Sequence, residues 1–439
     1  MPQTDPKNAH TTFDESATPT VSKAYLRYVI FLLAIVNMFN YIDRTILSVV
    51  LQPIKDDLGL SDTQLGLLTG LAFALFYAVC GIPIARWADR GVRRNIISLA
   101  IAVWSVMTAL TGIAQNFYHL LLARIGIGAG EAGCLPPSHS IISDYFPVEK
   151  RSSALAIHAT GATLGGMIGL ALGGWIATLY GWRAAFLLLG LPGLLLALIV
   201  RFTLKEPPRG YSDDISTTDP PAPLSMTLRK LFQKKSYFHL IMASALAVFS
   251  LVGINQWLPS FYTRNYGLTT AQTGFFFGFV YGAGGAVGAI LGGFLADLLT
   301  RRNIRYVAWF ACIIYLLAFP FCFGLFFMPN AFLALTLNFV YVMITGASNG
   351  PIFAMIQGVA GVHTRAVAIA ISMFVCSVVG MGAGPFFVGY LSDLLAGSLG
   401  DHSLKYALVV SSCLTLFPAV HFFLASKHLG QDFAGSKQA

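Results

Sequence analysis

Ala85-Arg-Trp-Ala-Asp89-Arg-Gly-Val-Arg93-Arg94 and Gly293-Phe-Leu-Ala-Asp297-Leu-Leu-Thr-Arg301-Arg302 are two versions of one pattern. Each closes a long apolar run with an Ala-Asp step, and an arginine pair follows four and five residues after the aspartate. A second pair repeats with a similar offset: Gly165-Gly-Met-Ile-Gly169-Leu-Ala-Leu-Gly173-Gly174 and Gly380-Met-Gly-Ala-Gly384-Pro385-Phe-Phe-Val-Gly389. Matching motifs at matching places in two halves imply a duplicated unit.

The solvent of that unit follows from composition. Of 439 residues, 56% are hydrophobic and 11% charged, against roughly 25% charged in a soluble domain. Runs of about 20 apolar residues recur, long enough to cross a hydrocarbon core of about 30 Å. They predict an all-α integral membrane protein with twelve transmembrane helices near 26–51, 63–86, 95–115, 117–143, 152–180, 184–203, 237–262, 271–297, 304–328, 330–360, 366–395 and 405–426. The polar tail from Met1 to Ser22 and the lack of a small-residue cleavage site make the first run a helix rather than a leader. The polar stretch 204–236 reads as a linker between six-helix bundles at 26–203 and 237–426, with tails at 1–25 and 427–439.

Charge placement orients the chain. Of the 28 Lys and Arg, only Lys55, Arg183, Arg264 and Lys405 fall in loops on one side, and Arg44 and Arg124 lie inside helices. The rest share the other side, which the positive-inside rule makes cytoplasmic together with both termini. The net charge of +9 therefore reports topology and no nucleic-acid partner. Cys80, Cys134, Cys312, Cys322, Cys376 and Cys413 lie in apolar segments without ligand spacing and read as packing residues, so no metal or cofactor is expected. Gly282-Ala-Gly284-Gly285-Ala-Val-Gly288 is mid-helix with no preceding strand, which makes it a close-packing stripe rather than a phosphate loop.

Charges left in the bilayer point to the working centre: Asp43 and Arg44 on helix one, Arg124 and Glu131 on helix four. Each costs several kcal/mol unless paired, neutralised or facing water. At about 1.5 Å per residue Asp43 lies about 24 Å from the cytoplasmic end of its helix, while Arg124 and Glu131 lie about 12 and 22 Å from the outer end of theirs. Arg124 and Glu131, two turns apart, share a face, and either acid could take Arg124. Asp43 and Arg44 point about 100° apart, so Asp43 receives the role facing helix four and Arg44 no partner.

The Asp89 and Asp297 loops resemble the signature loops of the major facilitator superfamily, which implies that fold. The resemblance makes Asp89, Arg90, Arg93 and Arg94 with Arg365, and Asp297 and Arg301 with Arg151, a conformational latch on the cytoplasmic face. The helix-four stretch Arg124-Ile-Gly-Ile-Gly128-Ala-Gly130-Glu131-Ala132 is similar to the superfamily's motif for proton coupling. The helix-five glycines look like its antiporter motif, although Leu170 replaces proline. Tyr41-Ile-Asp43-Arg44, Gly128-Ala-Gly-Glu131-Ala132, Pro137, Ser143-Asp144-Tyr-Phe146 and Arg151 together resemble the spinster family. That resemblance implies a monomeric, proton-driven transporter of amphipathic lipids in a bacterial inner membrane, with Asp43, Arg124 and Glu131 at its centre. Asn40-Tyr-Ile-Asp43-Arg44 fits anion:cation symporters for sugar acids equally well, and these are the alternative. For the substrate cavity the sequence offers Tyr41, Asn255, Gln256, Trp257, Tyr341 and Asn349.

Overall fold

The computed structural model describes residues 21–209, 224–361 and 364–438. The tail before residue 21 and the linker residues 210–223 lie outside the described residues. The chain is helical: α1 is Lys23–Leu58, α2 runs as Asp62–Thr69 and Leu71–Arg90, and α3 is Arg93–Thr111. A turn interrupts α4 between Phe117–Glu131 and Leu135–Tyr145; α5 is Val148–Tyr180 and α6 Trp182–Thr203. After a short helix, Leu224–Gln233, within the expected linker, come α7 (Lys235–Tyr266), α8 (Thr270–Phe279 continuing to Arg302) and α9 (Ile304–Gly324). The remainder is α10 (Ala331–Gly346 and Asn349–Ala360), α11 (Arg365–Val375 continuing to Leu399) and α12 (Ser403–Cys413 and Leu416–Gln438).

Local chemistry explains the repeated turns. Gly59 ends α1 at φ 62° and Gly267 ends α7 at φ 65°, a left-handed conformation that glycine adopts without steric cost. Ser61 then opens α2 and Thr269 opens α8, each in a capping box closed by Gln64 and Gln272. The duplication inferred from the Asp loops thus extends to the opposite end of the helices. One-turn π segments break α8 at Val280–Gly284 and α11 at Cys376–Gly382, and such bulges are frequent at functional sites.

Among the described residues, ten stretches are long and apolar enough to cross a membrane. The outer faces agree: Phe31, Leu195, Phe202, Ile290 and Phe294 are each more than 60% exposed, a surface that water would not tolerate but lipid matches. The result is an all-α, multi-pass membrane fold. Because lipid gives no hydrophobic drive between helices, close approach through small residues holds them. The six cysteines are free, and Cys134, Cys312 and Cys322 are buried.

Within the first six helices α1 packs on α5, α3 on α4 and α6, and α2 on α4. Within the last six α7 packs on α11 and α12, and α9 on α10 and α12. Between these groups the principal contacts are α1 with α7, α2 with α11, and α5 with α8. A Cβ on Gly66 of α2 would sit 2.6 Å from the Pro385 carbonyl of α11. Gly174 of α5 is likewise in backbone contact with Thr270 and Gly274 of α8. Both contacts lie toward the end that carries the α1–α2 and α7–α8 turns. The groups meet at that end; at the other, Asp89 and Arg90 of α2 and Asp297 and Arg301 of α8 are exposed, so the groups part there.

Candidate functional site

The four membrane-embedded charges converge in the first six helices. Asp43, Arg124 and Glu131 are 2%, 3% and 1% exposed. Arg44 Nε donates to Glu131 Oε2 at 2.5 Å, which corrects the expectation that left Arg44 without a partner. The 100° between neighbours on a helix constrains Cα directions, but an arginine reaches around that angle. Arg44 lies over the rings of Tyr41, Phe73 and Tyr77, 5.2, 5.0 and 4.8 Å from their centroids, and those faces further stabilise the cation.

Asp43 is turned toward Thr108 of α3 and lies within electrostatic reach of Arg124 and Glu131. Neither acid makes an ion pair with Arg124 among the described residues. Instead Arg124 Nε donates to the Leu68 carbonyl at 3.2 Å, in the last turn of α2 before the break at Gly70. Its guanidinium lies 5.2 Å from the centre of the Phe73 ring, so Arg44 and Arg124 share Phe73. Arg124 Nη1, Asp43 Oδ1 and Glu131 Oε1 are buried with no hydrogen-bond partner among the described residues. A buried cation with free donors beside two acids can take either a carboxylate or a change in protonation.

The expected cavity residues fare differently. Tyr41 is at the centre, under Arg44. Trp257 is fully buried and donates to the Pro385 carbonyl at 2.9 Å, so it joins α7 to α11, and Tyr341 is fully buried in the core of the second group. Packing takes both off an open wall in this conformation. Asn255 and Gln256 are partly buried. Asn349 is exposed beside a cavity of about 110 Å³ that Tyr315, Ser372 and Cys376 also line.

At the parted end, Asp89, Arg90, Asp297, Arg301 and Arg365 are exposed and are not brought together. Arg151 donates to the carbonyls of Ser143 and Phe146 in its own half. Arg93 is 1% exposed and bonds Asp144, Glu206, Ser140 and the Pro207 carbonyl. Arg94 takes Glu206 through its backbone N–H and the Leu204 carbonyl through its side chain. Here these two arginines strap residues 204–207 onto the first six helices rather than reaching across to the second.

The sequence reading missed the lock at the joined end. Asp62 accepts two bonds from Arg264 at 2.8 Å each, one from Lys55 at 2.5 Å and one from Ser392 at 2.7 Å. Arg264 also donates to Gln52 at 2.6 Å. Asp393 of α11 accepts from the backbone N–H of Asp62 and Thr63. Two signals were available: Asp393 is an acid inside an apolar run, and Lys55 and Arg264 are two of only four bases on their side.

Comparisons with known proteins agree with this geometry. The sequence pattern of the Major Facilitator Superfamily matches residues 33–385. An MFS-type efflux pump of Mycolicibacterium smegmatis is 32% identical over 404 residues, 91% of this chain and 92% of that protein. A probable L-galactonate transporter of Escherichia coli K12 is 26% identical over 89% of this chain and 87% of its own length. The crystal structure of a bacterial homologue of the human lysosomal transporter Spinster, inward-facing and unoccupied, superimposes with a TM-score of 0.85 at 32% identity, covering 94% of this chain and 99% of that one.

Proposed function

We propose that this chain, which belongs to the Major Facilitator Superfamily, is a proton-coupled secondary transporter of small organic anions. It is a multi-pass membrane transporter and not an enzyme; the substrate class, the coupling and the cycle are our reading. Twelve spans form two six-helix bundles, and the positive-inside count puts both termini and the linker in the cytoplasm. The joined end is then extracellular and the parted end cytoplasmic, so the conformation is inward-facing. Alternating access follows as the bundles rock, the Asp62 lock opening outside while the Asp89 and Asp297 loops meet inside.

The observation that carries the anion reading is Arg124. It is buried, bonded to one carbonyl, and holds an unpartnered Nη1 beside a second guanidinium on the same ring. A substrate carboxylate supplies what that site lacks, a planar acceptor for a planar fork. The similarity to a probable galactonate transporter supports the same class. Protonation of Glu131 would release Arg44, which couples the proton to the anion site.

A second reading, an amphipathic lipid, is favoured by 32% identity to the Spinster homologue over nearly the whole chain. It is also favoured by helices α7–α12, whose Lys and Arg lie at their ends apart from Lys427 of α12. Proteoliposome flux with and without a pH gradient separates the readings. Uptake of a hydroxylated carboxylate such as gluconate, lost in Arg124→Lys, is expected. Lysolipid flux without anion flux would overturn the anion reading, and flux indifferent to pH would overturn the coupling.

A further inference from the structure

We propose that His139 and His158 are the pair through which the acid centre exchanges protons with the cytoplasm. The inference rests on the proton coupling proposed above and adds the route. His158 of α5 is 2% exposed, and its buried Nε2 has no hydrogen-bond partner among the described residues. His139 of α4 is exposed. Their rings are 5.2 Å apart between centroids and cross at 77°. A buried imidazole nitrogen left unbonded costs free energy that packing alone does not explain.

The pair lies at the foot of a polar stripe. Asn37 Nδ2 donates to the His158 carbonyl at 3.0 Å and fixes α1 against α5 at this level. Asn40, one turn along α1, has its side chain beside Glu131, and its buried Nδ2 makes no hydrogen bond among the described residues. Arg44, a turn further, holds Glu131. Residues 37, 40 and 44 share a helix face, so the stripe joins the histidines to the Arg44–Glu131 pair over about 10 Å, two turns of helix. Among the ionisable groups on the elements packed around His158 are Asp43 and Arg44 of α1 and Arg124, Glu131, His139 and Asp144 of α4. Of these, His139 is the one within electrostatic reach of it.

An imidazole can accept a proton on one nitrogen while it releases one from the other, which the asparagines of the stripe cannot do. In the inward-facing state the Glu131 O–H bond breaks as its carboxylate pairs again with Arg44. Water carries that proton along the stripe to His158 and on to His139, and His139 gives one to the cytoplasm. Both rings end neutral, and the net change is one proton moved from Glu131 to bulk water.

A relay sets a rate, whereas a packing residue sets an end state. The full-length protein in nanodiscs, with a fluorophore pair across the cytoplasmic ends of α4 and α10, is followed after a pH jump. His139→Gln and His158→Gln are expected to reach the wild-type end state at least about tenfold more slowly, and imidazole in the buffer should restore the rate of His139→Gln. Unchanged rates in both variants overturn the proposal, as does an altered end state reached at the wild-type rate. His158→Asn, with thermal melts, identifies a folding defect and gives the same rate comparison if the glutamine does not fit. A wild-type protein indifferent to pH overturns the coupling itself and the relay with it, whereas a wild-type response that Glu131→Gln abolishes and the histidine variants leave untouched overturns only the relay.

Discussion

Asp393 caps the first turn of α2 from the opposite half of the molecule, taking the Thr63 backbone N–H at 2.7 Å and that of Asp62 at 3.1 Å. Its charge sits against the positive end of a helix dipole, where a carboxylate contributes about 0.3–1 kcal/mol and up to about 2 when partly buried. Asp393→Asn should therefore move the population from inward-facing toward outward-facing by a factor of roughly 2 to 30. Distances between spin labels on the α1–α2 and α11–α12 turns would lengthen in a larger share of molecules. An unaltered distribution would show that the cap does not bias the two states.

Asp62 is the hub of the same lock, with Arg264 and Lys55 on its two oxygens. Removing Arg264 leaves a buried carboxylate with one cation, and removing Asp62 leaves two cations facing each other. Arg264→Gln and Asp62→Asn should each open the joined end, and their double variant should do so by less than the sum. A coupling of about 0.5–3 kcal/mol is the range for groups in one network. The same label pair measures it, and strict additivity would place the two residues outside a common switch.

Arg93 tests a different role for a signature residue. It is buried and satisfied by two carboxylates, a hydroxyl and a carbonyl, whereas Asp89, four residues earlier in the loop, is exposed. Breaking a buried ion pair costs about 3–5 kcal/mol because the partner charges are stranded. Arg93→Ala should lower thermal stability strongly, and Glu206→Gln more mildly, whereas Asp89→Asn should leave the melting temperature of the inward-facing state unchanged. Equal destabilisation by Arg93→Ala and Asp89→Asn would contradict this division.

How far such roles are legible in sequence depends on what imposes them. Lipid forces every span to be a helix with an apolar exterior, so the positions of the helices, the repeat and the embedded charges could all be read from the chain. Side-chain pairing is set by tertiary geometry. Arg44 and Glu131 are 87 residues apart, and nothing in local spacing shows that the longer neighbour of Asp43 turns toward α4. Arg93 looked like the other loop arginines because burial under residues 204–207 is invisible to a motif. Asp62 and Asp393, 331 residues apart, meet only because this conformation is closed at their end.

The coupling prediction follows from the pair that the sequence did not show. Glu131 and Arg44 neutralise each other in a buried site, so changing one strands the other. Arg44→Ala leaves Glu131 without its cation and raises the cost of its charge, which favours the protonated form; Glu131→Gln fixes that form but leaves Arg44 uncompensated except by the rings of Tyr41, Phe73 and Tyr77. Both variants should lose the pH dependence of the inward–outward equilibrium, since neither can alternate between a paired and a protonated state. The double variant removes both charges and should recover stability relative to either single change, without recovering pH-driven transport. Arg124→Ala should behave differently, because its protein bond is to a carbonyl: it should abolish anion binding while some pH-driven switching remains. Label distances across a pH series, with gluconate binding measured in parallel, separate these outcomes, and full pH-driven switching in Glu131→Gln would remove Glu131 from the coupling mechanism.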